Sequence, residues 1–381
     1  MARDKLPEPG KPAKKEKMKK TIVLFLLSLF LLPAKAEDAD LPLLGLCISA
    51  PGHEYVKEFD KFIREELAPL GVNTLVLRVD WGYEFETHPE LVSDNPLTKK
   101  DIKTLVRTCK ELNINLIPQI NLLGHQSWET EPGKLLEVYP QFDETPWVQM
   151  PEEYKWPNDD GLYCKSYCPL HPEVHDVLFD VVGELIDVFE ANAFHAGMDE
   201  VFYIGDSKCP RCSGKDNAEL FAGEVNLLRN FLASKGCRLW IWGDRLIDGK
   251  TTGYGMWEAS MNNTHRAIDL IYKDVLICDW HYERPDLSPV MFALKGFTVL
   301  TCPWRTPEVA LRQLENTRIF ISSATEATKD RYAGLLQTEW GDAEKFVNDF
   351  MEIKNNGGAA QGKEKTAANT FYLLTKKIAD K

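Results

Sequence analysis

The sequence predicts an α/β protein folded as a (β/α)8 TIM barrel. Eight short apolar runs recur along the chain, nearly continuous in apolar residues, as strands buried on both faces of a parallel sheet should be. The segments between them carry helical spacing, which argues for alternating strands and helices. The 381 residues leave room for a barrel of about 250 residues with insertions. A doubly wound open sheet is the structural alternative, but the chain has neither GxGxxG nor GxxxxGK[ST] to mark a nucleotide site on one.

The predicted strands are 43–49, 72–80, 114–120, 193–198, 238–243, 275–281, 297–302 and 333–340. The clearest helix is 173–190, where Val174, Val177, Leu178, Val181, Val182, Leu185 and Phe189 repeat at three and four. Pro172 suits its first turn, where no backbone N–H is needed. Residues 219–233 repeat the pattern. The largest insertion, 124–170, is rich in Trp, Tyr and Pro and falls between the third and fourth strands. After Lys354 the composition turns to that of a flexible linker, NNGGAAQGKEK, followed by a last amphipathic stretch at 366–379, a helix closing the barrel or a loosely held end. The domain reading is therefore a leader over 1–36, a barrel over 37–354, and a linker with a helical tail over 355–381.

The leader reads as an address. A basic stretch, KPAKKEKMKK, precedes the apolar TIVLFLLSLFLLP and the small-residue site Ala34-Lys35-Ala36, the pattern of a cleaved secretory signal. A spanning helix needs about 20 apolar residues, more than this run offers. The expectation is an exported protein, periplasmic or secreted, with no membrane partner after cleavage.

Nine basic and three acidic residues in the first 36 contribute +6 to a net charge of −13, so the body sits near −19. Such a body repels phosphate backbones, which excludes nucleic acid as a partner. No cofactor motif appears, and oligomeric state is not written in the chain. Nine cysteines make an odd count. Cys47 and Cys278 lie inside apolar runs and read as small buried hydrophobes. Cys164 and Cys168, spaced C-x3-C, and Cys209 and Cys212, spaced C-x2-C, flank the fourth strand. That quartet reads as two disulfides, a structural zinc site or free thiols, in no case as catalytic.

Barrel chemistry sits at strand C-termini and the loops after them. Nearly every predicted end carries a polar or aromatic cluster: Asp80-Trp81, Asn121 to His125, His195 to Glu200, Trp242 to Asp244, Trp280 to Tyr282, Trp304-Arg305 and Trp340 to Asp342. Rings at the rim suit ligands with C–H faces, such as sugars. Asp199 and Glu200 stand side by side at the fourth strand end, where close carboxyls resist joint ionisation and one pKa rises. A retaining glycosidase with an enzymic nucleophile sets its two carboxyls about 5–5.5 Å apart across the scissile bond. Neighbouring residues, with Cα atoms about 3.8 Å apart, cannot straddle a sugar ring in that way. A pair like this acting on a glycoside implies that the substrate supplies the nucleophile.

FHAGMDEV (194–201) resembles the His-x-Gly-(Gly or Met)-Asp-Glu signature of glycoside hydrolase family 20, the β-N-acetylhexosaminidases. LIPQINLLGHQSW (116–128) resembles the family's third-strand block, YCPLHPEVHDVLFDVVGEL (167–185) its helix before the catalytic strand, and LLQTEWGD (335–342) its last-strand Trp-x-Glu element. Together they cover roughly residues 43–345 in order.

The resemblance implies a barrel hydrolysing terminal β-linked N-acetylglucosamine or N-acetylgalactosamine with retention, through an oxazolinium ion. Glu200 would be the acid and then the base, and Asp199 would orient the 2-acetamido group. Trp242, Trp280, Trp304 and Trp340 would wall the acetamido pocket, and Tyr282 would bond its oxygen. His125, Asp80 and His195 would support the carboxylates, and Asp342 would hold sugar hydroxyls.

Three departures stand out. The first strand lacks the family's Arg, so Arg78 or another cation substitutes or recognition differs; Met198 replaces a glycine; and no small α/β domain separates the leader from the barrel. The competing readings are an amino-sugar-binding protein on the same barrel and a thiol- or zinc-dependent protein built on Cys209 and Cys212.

Overall fold

A computed structural model describes residues 41–155 and 164–380. The predicted leader, 1–36, lies outside the described residues. Eight parallel strands close into a barrel: β1 (Leu43–Ser49), β2 (Thr74–Arg78), β3 (Asn115–Leu122), β4 (Ala193–Gly197), β5 (Arg238–Trp242), β6 (Leu276–Trp280), β7 (Thr298–Cys302) and β8 (Tyr332–Thr338). Each pairs with its sequence neighbours, and β8 returns to β1 with Leu43 opposite Gly334 and Cys47 opposite Thr338. All eight predicted strands are present, several a residue or two shorter.

The helix Val174–Phe189 buries every apolar position that its spacing singled out. Pro172 lies ahead of it, because Glu173 is the N-cap and the turn closes outside the helix. Asn217–Ser234 starts where the Asp216 carboxylate accepts the Ala218 and Glu219 N–H groups. After β5 the chain forms only short helical turns, ending in a 3-10 stretch at Thr264–Asp269.

Two apolar layers result. Helices pack outside the strands, while the barrel interior holds Val76, Ile117, Leu300 and Leu336 together with Cys47, Cys278, Cys302, Trp240, Trp242 and Trp280. Cys47 and Cys278 are thus buried packing residues. The tryptophans fill the interior itself rather than only decorating its rim.

The segment beyond Lys354 differs from a loose tail. Ala343–Asn356 runs through that boundary, and Ala367–Ala379 buries Phe371 and Leu374 against it. Phe371 packs on Phe346 and Phe350 with ring centroids 6.0 and 5.6 Å apart. Its apolar face belongs to the barrel wall. Among the described residues no helix is long and apolar enough to cross a membrane.

Candidate active site

The carboxyl end of β4 turns abruptly. Gly197, Met198 and Glu200 all take left-handed backbone with φ of 65°, 67° and 50°. At Gly197 a Cβ would lie 1.9 Å from Asn121 Oδ1, so no other residue fits. Met198 accepts the conformation at a cost of about 1–2 kcal/mol, offset by its complete burial. That cost explains why a glycine serves in the signature this block resembles. Strain of this kind concentrates where the surrounding structure enforces it, as at functional sites.

A second left-handed turn, at Leu123 and His125, follows β3. Gly124 lies between them against the Asp199 carbonyl, where a Cβ would come within 2.4 Å. The two turns interlock and carry His125 to both acids. His125 Nε2 stands 3.2 Å from Asp199 Oδ2 and 3.3 Å from Glu200 Oε2. Burial opposes an imidazolium there, but the Asp199 carboxylate holds His125 well above the ordinary histidine pKa. Burial likewise works against the Asp199 carboxylate, yet His125 brings it below its usual value. The repulsion expected of adjacent acids is met by this shared cation.

Asp199 Oδ1, His195 Nε2 and Trp242 Nε1 are buried without a hydrogen-bond partner among the described residues. Buried polar atoms are rarely left so, and three on the adjoining strands β4 and β5 and the turn after β4 mark a place for a polar ligand. His195 Nδ1 accepts the Gly197 N–H at 3.0 Å while its ring packs on Trp242, centroids 4.4 Å apart. Trp242 in turn meets Trp340 at 5.4 Å, Trp280 meets Tyr282 at 4.9 Å, and Tyr282 meets Trp304 at 5.1 Å. The Trp340 indole N–H donates to the Tyr282 hydroxyl at 2.8 Å. Five rings from β5 to β8 thus form one aromatic floor beside the acids, with Trp304 at its edge.

Asp80 supports the site indirectly. Its Oδ1 accepts the Asn121 N–H at 3.1 Å, which fixes the end of β3, and burial raises its pKa. Asp342 points elsewhere. It is exposed and caps the helix Ala343–Asn356, its carboxylate accepting the Lys345 N–H at 2.8 Å. The strand ends at Thr338, so by residue 342 the chain has already turned into the helix. Glu339 lies nearer, half-buried, its pKa raised by burial and opposed by Arg78. Arg78, at the end of β2, stacks on Trp340 at 4.8 Å and donates to Ser49 of β1. It brings a guanidinium beside the first strand, which lacks one of its own.

The cysteine quartet does not assemble. Cys168 approaches Cys209 and Cys212, with Sγ atoms 3.7 and 3.5 Å away, while Cys164 stands apart and all nine cysteines are unpaired. Cys164 instead donates to Glu200 Oε2 at 3.3 Å and lies 3.6 Å from His125 Nδ1. Burial pushes its thiol up to about 12, so it remains an S–H donor. Three residues lie between it and Cys168, enough for the loop to deliver the two to different places.

Asp244 stood in a strand-end cluster of the sequence but was given no role there. It is buried, and its Oδ2 accepts the Glu200 N–H at 3.0 Å and the Arg245 Nε–H at 2.6 Å. Burial raises it to about 6 despite Arg245. Arg245 also donates to the carbonyls of Trp257 and Ala259, both at 2.9 Å, tying this pair to the loop after β5. The signal was its position two residues past a strand end, shared by many residues that do nothing.

Residues 78–306 match the glycosyl hydrolase family 20 catalytic domain, and the chain belongs to that family. A beta-hexosaminidase of Akkermansia muciniphila is 30% identical over 142 residues, 37% of this chain and 27% of that protein. A lacto-N-biosidase of Bifidobacterium bifidum is 25% identical over 204 residues, 50% of this chain and 16% of that protein. The chain therefore matches well under two thirds of the length of these curated relatives. Among solved structures, a beta-N-acetylhexosaminidase superposes with a TM-score of 0.61 at 18% identity, covering 89% of this chain and 76% of that one. Flavobacterium johnsoniae chitobiase gives 0.57 at 18%, covering 88% and 52%. At such identities the likeness is one of fold.

Proposed function

We propose that the protein is an exported, retaining exo-β-N-acetylhexosaminidase using substrate-assisted catalysis. The observation that carries this reading is the arrangement of the acid pair. Asp199 gives one oxygen to His125 and leaves Oδ1 buried and unpartnered, while Glu200 stands beside it on the same turn, its N–H held by Asp244.

Asp199 Oδ1 accepts the 2-acetamido N–H, which aims the acetamido carbonyl oxygen at the anomeric carbon. That oxygen attacks as the glycosidic bond breaks, and Glu200 passes its proton to the leaving oxygen. The resulting oxazolinium is opened by a water that returns a proton to Glu200. Tyr282, whose hydroxyl already accepts from Trp340, has its own O–H to offer the acetamido oxygen. The apolar floor of Trp242 and Trp280 excludes water from the acetamido methyl. Arg78 supplies the cation for sugar hydroxyls, with Glu339 beside it. Export rests on the basic, apolar and small-residue order of the first 36 residues.

The test is hydrolysis of a β-N-acetylglucosaminide and a β-N-acetylgalactosaminide, aryl and natural disaccharide, by wild type and Glu200→Gln. Turnover should fall at least ~10²-fold, the scale of general acid–base catalysis. Equal rates, or equal cleavage of a glycoside lacking the acetamido group, would overturn the reading.

A further inference from the structure

The cysteines that fail to form a quartet gather a different fourth partner. Cys168, Cys209 and Cys212 bring their sulfurs within 4.8 Å of one another and of a Glu144 carboxylate oxygen, and all four residues are buried. From these we propose a structural zinc site of three thiolates and one carboxylate, Glu144, Cys168, Cys209 and Cys212.

Geometry favours a metal over a disulfide. Zn–S bonds of about 2.3 Å in a tetrahedron place neighbouring sulfurs ~3.8 Å apart. The separations from Cys168 are 3.5 and 3.7 Å, to two sulfurs at once. A disulfide would use one of these contacts and leave a third thiol and a carboxylate buried together.

Glu144 adds an independent reason. Its Oε1 accepts the Asp206 N–H at 3.1 Å, which fixes the carboxylate's orientation. Its Oε2 is buried, and no N–H or O–H donor among the described residues reaches it. Lys165, a buried cation of the same insertion, is engaged by Asp143 and the Thr145 carbonyl. Facing only the Cys168 and Cys209 thiols on that side, the buried carboxylate is weakly compensated, and a divalent cation bound by Oε2 removes that cost. Four protein ligands close the coordination, which makes the ion structural and leaves no position for a reacting water.

The site joins two segments that flank Glu200. Cys209 and Cys212 lie on the loop that leaves the catalytic turn, and Cys168 ends the loop that brings Cys164 to Glu200. The ion would clamp the loop after the catalytic turn to two points of the 124–170 insertion, Glu144 and Cys168.

The test uses the full chain and does not depend on the reaction. Purified with reductant and dialysed against zinc-free buffer, it should carry about one zinc per chain by elemental analysis. A Cys209→Ser/Cys212→Ser double variant should carry less than a tenth of that, while Cys164→Ser should keep it. Should the double variant fail to fold, Glu144→Gln replaces it, with zinc transfer to a chromophoric chelator at least ~10-fold easier than in wild type. Chain purified without reductant, then denatured in chelator, should titrate as nine thiols, the full cysteine count. A metal-free chain that also fails to bind added zinc, a count of seven thiols, or zinc lost with Cys164→Ser would each overturn the assignment.

Discussion

The two halves of the site are built on opposite principles. The half at β3 and β4 is polar and strained: left-handed turns, an imidazole between two acids, and a thiol on Glu200. The half from β5 to β8 is apolar and close-packed, with Trp242 fully buried and rings in mutual contact. The first half stores conformational cost where protons move. The second supplies the burial that holds such a turn in place. Substitutions in the two halves should therefore fail differently.

Trp242→Ala should show the largest effect, and in stability. Emptying a buried indole costs about 3–5 kcal/mol, read as a lower denaturant midpoint. A midpoint close to wild type would mean that the floor does not support the strained turn. Asp199→Asn should instead keep its fold while kcat on an acetamido substrate falls roughly 10²–10³-fold, the scale of a lost electrostatic contact to the transition state. If its loss were the same on a substrate without the acetamido group, the division of labour would be mistaken.

Asp244 bridges the halves, so its variant sharpens the comparison. Its folded pKa of about 6 exceeds the ordinary 3.8. Ionising it therefore costs stability; the cost is absent below the ordinary value, grows as pH rises toward 6 and is full above it. Its activity contribution has the opposite sense, because the carboxylate that accepts the Glu200 N–H and pairs with Arg245 is fully formed only above about 6. Asp244→Asn should lower kcat/KM roughly 10-fold at pH 7, the scale of one charge-assisted hydrogen bond, and alter the acid limb of the pH profile. An acid limb identical to wild type would remove Asp244 from that role. The smallest effect should come from Trp340→Phe, which keeps an aromatic, though smaller, ring and deletes the N–H to Tyr282. About 1 kcal/mol, read as a few-fold rise in KM, is expected; no change would leave the Tyr282 hydroxyl independent of Trp340.

The barrel was legible because strand burial and helix spacing are local patterns. The seven apolar positions of 174–189 follow one helix face whatever packs against it. The acid pair was legible because adjacency along the chain is adjacency in space. Asp342 was misplaced because its role depended on where β8 stops, and the strand ends at Thr338. The cysteine quartet misled for the converse reason. C-x3-C spacing suggested a shared ligand, yet the loop turns Cys164 toward Glu200 and Cys168 toward Glu144, a residue without any motif.

What the chain alone determined is the set of local constraints: eight buried strands, two acids side by side, and rings after the later strands. Contacts between residues far apart in sequence were decided by closure of the barrel. His125 comes between the acids, Asp244 reaches the Glu200 backbone, and Arg78 lies on Trp340, across separations of 44 to 262 residues for the last two. Periodicity and spacing act over a few residues, whereas these contacts exist only once all eight strands share one mouth.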